Sequence, residues 1–390
     1  MATKPLAYIV GAYEHPTRKA PDRSVAQLHA DVARGALADA GLTKDDIDGY
    51  FCAGDAPGLG PTSMVDYLNL RVRHFDSSDV GGSSYLAHVS HAAQAIAQGK
   101  CNVALITLAG RPRSEKMATG TAPRAVNPNQ PDGQWEFAYS PTVVNMYGMC
   151  AMRHMHEFGT TSEQLAWIKV AASHHAQHNP LALLRDVVTV EQVLASPIVS
   201  SPLHRLDCCV ITDGGGAVIV ARPEIAAKLK RPMVGIIGCG ETIKGQNGGD
   251  VDLTYSGAAI SGPAAFAEAG VKPSDIQYAS IYDSFTITVL MQLEDLGFCK
   301  KGEGGKFVAD GNLISGIGKL PFNTDGGGLC NNHPANRGGM TKIIEAVRQL
   351  RGEAHPRVQV PNCSLALAHG TGGSLGTRHG SATLILERSA

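Results

Sequence analysis

The chain contains 390 residues with a formal net charge of −1, and 43% of them are hydrophobic while 18% are charged. This length suits two packed subdomains, and the near-neutral charge argues against a nucleic-acid-binding surface. The composition is that of a soluble globular enzyme, without an apolar run that could span a membrane or serve as a signal peptide. Nine cysteines without a CxxC pair argue against a disulfide framework or a zinc site and favour a cytoplasmic location.

The first predicted elements, in chain order, are a strand, a helix and a second strand. The apolar run Leu6–Tyr13 predicts the first strand. Apolar residues recur at helical spacing through Ser24–Ala40, and Gly41 then supplies a stop signal. Gly49–Cys52 predicts the second strand. Together these elements indicate an α/β fold.

Residues 111–200 follow a different pattern. They begin with a Pro-, Gly- and Asn-rich stretch, Ala118–Gly133, and continue with predicted helices at Met146–Phe158 and Ser162–His178. An insertion of this length forms either a lid and substrate-binding loop domain or a surface embellishment. We favour the loop domain.

A sequence pattern in the first half of the chain recurs in the second half. Gly35–Asp48 reads GALADAGLTKDDID, and Ala264–Gln277 reads AAFAEAGVKPSDIQ. Each half also contains a glycine-rich turn before a predicted helix, at Gly81-Gly82 and at Gly326–Gly328. Each half ends in a predicted strand that begins with glycine, at Gly216–Ala221 and at Gly380–Glu387. The repetition predicts two similar halves, residues 1–110 with 201–235 and residues 236–390, around the insertion at 111–200.

Four segments have motif-like patterns, namely Asp79–Gly99 with Asn102–Gly110, Tyr282–Phe285, Asn323–Pro334 and Leu365–Gly376. The first resembles a nucleophile turn with its helix and following strand. The other three resemble, in this order, the Asn-Glu-Ala-Phe motif, the Gly-His-Pro motif and the Cys-x-Gly-Gly-Gly loop of the thiolase superfamily. The Tyr-Asp-Ser-Phe form of Tyr282–Phe285 and the Gly-Glu-Gly-Gly at Gly302–Gly305 most resemble the sterol-carrier/lipid-transfer branch of that superfamily.

The resemblance implies an α/β thiolase fold, in which two duplicated βαβ-type halves form five layers in the order αβαβα with an inserted loop domain. It also implies a homodimer and a small partner protein with an OB fold and a zinc ribbon. An acyl-CoA thioester is the implied substrate, and no cofactor is expected beyond it. His174, His175 and His178 are spaced like metal ligands, but they lack a carboxylate partner motif and predict a solvated helix face rather than a metal site.

The departures from the family pattern concern the reactive residues. By the resemblance, the nucleophilic cysteine falls on Gly82, and the acid/base cysteine of the last loop falls on His369. Tyr282 stands at the Asn or His of the third motif, and only His333 of the Gly-His-Pro motif is retained. Because a thiolase holds the acyl group on a cysteine, Gly82 argues against ordinary thiolysis.

Enolate chemistry needs no covalent nucleophile. A polarised thioester carbonyl carries negative charge on its oxygen, and positioned donors stabilise that charge. We expect His333 to be such a donor, and Tyr282 or His369 to be the base for a β-hydroxyl proton or its partner. Asp283 is a further catalytic candidate. The residues expected to contact the acyl-CoA are Gly82, Ser83, Tyr255, Gly372 and Gly373.

These roles predict a retro-aldol lyase that cleaves a 3-hydroxyacyl-CoA, for example one with a sterol or another bulky side chain. Two alternatives stay open. One is an acyltransferase or thiolase with an atypical nucleophile such as Ser83 or Cys330, although we expect Ser83 and Ser84 to cap the following helix and Cys330 to be an inert buried thiol. The other is a non-catalytic thiolase-fold subunit that binds acyl-CoA.

Overall fold

A computed structural model describes residues 5–117, 142–245, 247, 250–334 and 338–389, so the predicted stretch Ala118–Gly133 lies outside the described residues. The strands are β1 (Ala7–Glu14), β2 (Gly49–Phe51), β3 (His74–Asp76), β4 (Val103–Gly110), β5 (Ile198–Ser200), β6 (Leu203–His204), β7 (Gly214–Ala221), β8 (Val234–Lys244), β9 (Tyr278–Ile281), β10 (Leu365–Gly373) and β11 (His379–Arg388). The helices are α1 (Val25–Ala40), α2 (Pro61–Leu68), α3 (Ser84–Ala97), α4 (Val143–Phe158), α5 (Ser162–Ala176), α6 (Val190–Leu194), α7 (Pro223–Ala226), α8 (Ala258–Ala269), α9 (Thr286–Asp295), α10 (Gly304–Val308) and α11 (Gly339–Arg351).

Nine of the strands form one mixed sheet in the order β3-β2-β4-β7-β1-β8-β11-β10-β9. Strand β1 pairs antiparallel with both β7 and β8, which joins the strands of the two halves. Helix α1 packs on one outer face, α8 packs on the other, and α3 and α11 contact strands of both halves between them. Helices therefore lie on both outer faces and between the two halves of the sheet.

The repeated sequence phrase builds the same local structure twice. Helices α1 and α8 end at Gly41 and Gly270, whose φ angles of 68° and 70° lie in the left-handed region that glycine adopts without a steric penalty. A single 3₁₀ turn follows in each half, and there Asp46 and Asp275 accept a hydrogen bond from the backbone N–H three residues earlier. Each turn leads into a buried strand, β2 or β9.

The insertion contributes α4, α5, α6 and the β5–β6 hairpin. Each of these three helices begins at a threonine whose hydroxyl accepts a hydrogen bond from the backbone N–H three residues later. The amide side chain of that later residue accepts in turn from the threonine N–H. The pairs are Thr142 with Asn145, Thr161 with Gln164, and Thr189 with Gln192. Helix α5 packs on α9 and α10 of the second half, and α4 packs beside β5. In the described ranges, no helix is both long enough and apolar enough to cross a membrane.

Candidate active site

A cavity of about 360 Å³ opens where the insertion meets the second half of the chain. Its wall is mostly apolar and, among the described residues, includes two tyrosines, a histidine, one arginine and two cysteines. The lining residues are Gly82, Val143, Val144, Tyr147, Val199, Arg205, Cys208, Cys209, Ile211, Tyr282, Ser284, Phe285, His333, Thr371, Gly372 and Gly373. The structure thus brings together five residues predicted from the sequence, namely Gly82, Tyr282, His333, Gly372 and Gly373.

The aromatic ring of Tyr282 occupies the space beside Gly82. A β-carbon on residue 82 would lie 2.4 Å from Cε2 of Tyr282 and 2.3 Å from the carbonyl oxygen of Thr371. Both distances are shorter than side-chain atoms tolerate, so a cysteine at this position requires the tyrosine or the strand to move. At the family's nucleophile position this chain therefore has no thiol, and the ring of Tyr282 occupies the space next to it.

The serines after Gly82 bond to the turn that precedes α3. The Ser83 hydroxyl donates to the carbonyl of Val80, and the Ser84 hydroxyl donates to the carbonyl of Gly81 and accepts from the N–H of Val80. The predicted helix cap is wrong in detail, because neither hydroxyl accepts a backbone N–H from the first turn of α3. Ser83 is buried and does not lie on the cavity wall.

Tyr282 and His333 form the polar pair of the cavity. The Tyr282 hydroxyl lies 2.9 Å from Nε2 of His333, within hydrogen-bond distance. Burial raises the pKa of Tyr282 well above its ordinary value and lowers the pKa of His333 to about 4. Both side chains are consequently neutral at pH 7, and a neutral imidazole nitrogen can accept a proton from a neutral phenol.

Asp283 holds the loop that carries His333 and does not line the cavity. Its carboxylate accepts hydrogen bonds from the backbone N–H groups of Gly328 and Leu329, at 2.8 Å and 3.1 Å. Lys342 of α11 lies 2.6 Å from the same carboxylate, and both side chains are buried. These contacts show that Asp283 holds the backbone of the loop before His333, and its direct catalytic role stays a prediction.

His369 does not line the cavity. Its Nδ1 lies 2.8 Å from the hydroxyl of Thr383 on the neighbouring strand β11, and burial lowers its pKa to about 3. Its backbone connects it to the site, because the N–H of Tyr282 donates to the carbonyl of His369. The structure thus gives the predicted base His369 no direct contact with the cavity.

Tyr255 lies away from the cavity wall, beneath Lys244. The Lys244 ammonium stands 3.7 Å from the centroid of the Tyr255 ring and donates to the carbonyl oxygen of the same residue. This cation–π contact fixes the loop before α8. A contact between Tyr255 and CoA stays a prediction.

Two cysteines reach the cavity that the sequence did not indicate. Cys208 forms an isolated β-bridge with Phe285, and the N–H of Cys209 donates to the carbonyl of Ser284, so the chain after β6 lies against the Tyr282–Phe285 motif. Burial raises the pKa of Cys208 to about 12 and the pKa of Cys209 even further. Both are thiols at neutral pH, whereas nucleophilic cysteines act as thiolates.

Two further residues that the sequence analysis named, Cys330 and His175, are buried outside the cavity. Cys330 is enclosed, and burial raises its pKa, in agreement with the expected inert thiol. The solvated helix face predicted from the three histidines is wrong for His175, because that side chain is buried and accepts a hydrogen bond from the N–H of Ser315. In the part of the chain that the structure describes, no three His, Cys, Asp or Glu side chains are grouped as metal ligands.

Fold, motifs and cavity together define the class of protein: the chain belongs to the thiolase superfamily. The family described as Thiolase C-terminal domain-like matches residues 240–388. The predicted α/β thiolase fold is confirmed by solved structures, among them acetyl-CoA acetyltransferase from Syntrophomonas wolfei, with a TM-score of 0.72, 15% identity and full coverage of both chains.

Two relatives of different activity are similar to nearly the whole chain. The steroid side-chain-cleaving aldolase of Thermomonospora curvata is 35% identical over 88% of this chain and 89% of its own length. The acetyl-CoA acetyltransferase of Methanothermobacter thermautotrophicus is 32% identical over 91% of this chain and 93% of its own length. The solved Ltp2-ChsH2(DUF35) aldolase has a TM-score of 0.87 and 31% identity, covering 98% of this chain and 97% of that one.

Proposed function

We propose that this chain is an enzyme, a CoA-thioester carbon–carbon lyase that cleaves a 3-hydroxyacyl-CoA by a retro-aldol reaction. The observation that carries the proposal is the position of Tyr282. Its ring fills the nucleophile site beside Gly82, while its hydroxyl contacts Nε2 of His333 on the cavity wall. The similarity to the steroid side-chain-cleaving aldolase supports the same reaction class.

In the proposed reaction, the Tyr282 hydroxyl takes the proton of the substrate's β-hydroxyl group and passes its own proton to Nε2 of His333. The bond between Cα and Cβ breaks, the β-carbon becomes a ketone or aldehyde, and the bonding electrons form the thioester enolate. The proton then returns from His333 through Tyr282 to Cα, which yields the shorter acyl-CoA. No covalent intermediate forms, and protons balance over the cycle.

The enolate oxygen needs hydrogen-bond donors that are in place before the bond breaks. Gly372 and Gly373 of strand β10 lie against Gly81 and line the cavity together with Gly82, and we propose that their backbone N–H groups serve this purpose. Each such donor typically contributes about 3–4 kcal/mol to lowering the barrier. In this arrangement His333 accepts a proton rather than acting as the oxyanion donor expected from the sequence.

Acyl transfer through a cavity cysteine is the second candidate function. Cys208 and Cys209 lie on the cavity wall, and an acetyl-CoA acetyltransferase is among the similar proteins. The raised pKa of both thiols opposes this function, because the reactive thiolate is scarce at pH 7. Substitution of either cysteine by serine is therefore expected to preserve turnover.

The pH dependence of kcat/KM is expected to reflect the buried imidazole. Since His333 must be neutral to accept a proton and its pKa is lowered to about 4, activity should persist from pH 8 down to about pH 5. A histidine with an ordinary pKa near 6.5 would already lose activity there. The same pH profile is measured for the control variant Glu345→Gln. Burial raises the pKa of Glu345 to about 7, so its titration falls in the range where an ordinary histidine would titrate. A limb near pH 6.5 that remains in this variant contradicts the assignment of His333.

The reaction itself is tested by its products. The protein is incubated with 3-hydroxyacyl-CoA thioesters that carry bulky β-substituents, and both product classes are measured by chromatography and mass spectrometry. The proposal requires a ketone or aldehyde and a shorter acyl-CoA in equal amounts. Transfer of an acyl group to free CoA without the carbonyl product supports the second candidate instead.

We further propose that the active assembly contains a partner subunit, because the similar Ltp2-ChsH2(DUF35) aldolase bears the names of two proteins. The OB fold and zinc ribbon of such a partner, and a cytoplasmic location, stay predictions. The product assay is accordingly run with the chain alone and with the proteins that co-purify with it.

A homodimer is the proposed arrangement of this chain, and the edge strand β3 is its proposed contact. Strand β3 ends the nine-stranded sheet, and its Phe75 side chain is 62% exposed. Exposed edge strands readily pair with another chain. We expect Phe75→Asp to shift the protein from dimer to monomer in analytical ultracentrifugation, whereas Ile317→Asp, at an equally exposed site, leaves the dimer intact. A dimer unaffected by Phe75→Asp excludes this contact.

A further inference from the structure

Arg205 gives the cavity a charge that the retro-aldol reaction does not use. Among the cavity-lining residues that the structure describes, it is the one with a permanent charge. Its side chain is exposed, and its guanidinium has no hydrogen-bond or ion-pair partner within those ranges. The neighbouring carboxylate of Asp207 is turned inward and accepts from the Thr286 hydroxyl and the His204 N–H, each at 2.8 Å.

The backbone of Arg205 is held at the cavity mouth. Its N–H donates to the carbonyl of Pro197 at 2.8 Å, which closes the base of the β5–β6 hairpin. Its carbonyl accepts from the N–H of Cys208 in the following 3₁₀ turn. The hairpin residue Val199 and the turn residue Cys208 line the same wall. The fixed backbone keeps Arg205 on the cavity wall, within reach of a group that enters the cavity.

The geometry points to an anionic oxygen group on the acyl chain of the substrate, a carboxylate held by Arg205 at the cavity mouth. This inference rests on the proposed function and names its substrate class, 3-hydroxyacyl-CoA thioesters whose acyl group carries a second carboxylate. Guanidinium and carboxylate match each other's two-pronged geometry, which makes this pairing stronger than a hydrogen bond between neutral groups.

The phosphates of CoA are the other source of an anionic oxygen group. They stand at the far end of the long pantetheine arm from the thioester, whereas Arg205 shares one cavity of about 360 Å³ with Tyr282 and His333. A group bound by Arg205 therefore lies close to the reacting carbons, as a substituent of the acyl chain does. This proximity favours the acyl carboxylate over the phosphates.

Binding is measured with thioesters that cannot be cleaved, so the result does not depend on turnover. The ligands are ω-carboxyacyl-CoA compounds of graded length, neutral acyl-CoA compounds of matched length, and the ω-carboxyacyl thioesters of pantetheine, which lack phosphates. Dissociation constants are determined by calorimetry for the wild-type chain, for Arg205→Gln and for the control Arg153→Gln. Arg153 is an exposed α4 residue in the same insertion, and it does not line the cavity.

We expect Arg205→Gln to weaken binding of the ω-carboxyacyl thioesters of CoA and of pantetheine alike, by roughly tenfold to a hundredfold. Neutral acyl-CoA should change by less than about threefold, and Arg153→Gln should change none of the three. If Arg205→Gln weakens binding of both classes of CoA thioester equally and leaves binding of the pantetheine thioesters unchanged, Arg205 binds the phosphates and the inference is wrong. Unchanged binding of all three ligand classes also overturns it. A protein that binds as expected but releases no carbonyl product contradicts the lyase function and leaves this inference standing.

Discussion

Replacing Tyr282 by phenylalanine is expected to lower kcat by about 10²–10⁴-fold, with little change in KM. The substitution keeps the ring that fills the space beside Gly82 and removes only the hydroxyl that contacts His333. Folding and ground-state binding should therefore remain, while the path for the β-hydroxyl proton is lost. The measurement is steady-state kinetics with a 3-hydroxyacyl-CoA, with ligand affinity determined separately by calorimetry.

The control for this prediction is Tyr147→Phe. Tyr147 lines the same cavity, and its hydroxyl donates to the carbonyl of Gly373 at 3.3 Å, a contact that the proposed proton path does not use. We expect its loss to cost less than about tenfold in kcat. His333→Ala should be as damaging as Tyr282→Phe, and the double variant should be no worse than either single one, because the two side chains act as a unit. Additive losses, or a change confined to KM, contradict the proton path.

Replacing Lys342 by methionine is expected to lower the free energy of unfolding by about 3–5 kcal/mol. Lys342 and Asp283 form an ion pair in which both side chains are at most 1% exposed. Removing the lysine leaves the Asp283 carboxylate buried without its cation, and this uncompensated charge is the main cost. Because Asp283 also binds the backbone of the loop before His333, activity should fall together with stability.

Urea-induced unfolding measures this effect, and Arg222→Met is the matched control. Arg222 pairs with Glu224 on the surface, where the two side chains are 46% and 66% exposed, so its loss should cost less than about 1 kcal/mol. Substituting Asp283 by Asn in the Lys342→Met background should recover part of the lost stability, because the buried charge is then removed. If Lys342→Met costs no more than Arg222→Met, the pair does not hold the loop.

Much of the fold follows from local sequence signals. Gly41 and Gly270 end their helices because each must adopt a left-handed φ, and the turns that follow are closed by short-range hydrogen bonds. The conformation of the glycine-rich segment that begins at Gly326 depends instead on contacts between residues that are distant in sequence. Gly326 and Gly327 have positive φ angles, and a π-helical turn begins at Gly327. The N–H of Gly328 in this turn donates to the carboxylate of Asp283, which is distant in sequence, and α11 begins only at Gly339.

The candidate site is predictable only in part, because its contacts join distant segments. The sequence identified the missing thiol at Gly82, but the approach of Tyr282, 200 positions later, depends on how the two halves pack. Motif position placed His369 in the last loop, whereas its ring contacts the Thr383 hydroxyl on the paired strand and does not line the cavity. The sequence did not indicate Cys209 as a site residue, and a backbone contact with Ser284 holds it on the cavity wall.

Intact-protein mass spectrometry during turnover is the most direct test that substrate is cleaved without being attached to the chain. A 3-hydroxyacyl-CoA is mixed with the protein, the reaction is stopped by acid while substrate remains, and the protein is weighed as the small products are quantified. Retro-aldol cleavage predicts an unchanged protein mass alongside equal amounts of carbonyl compound and shortened acyl-CoA. An added acyl mass that maps to Cys208 or Cys209 and is lost on their replacement by serine would contradict it.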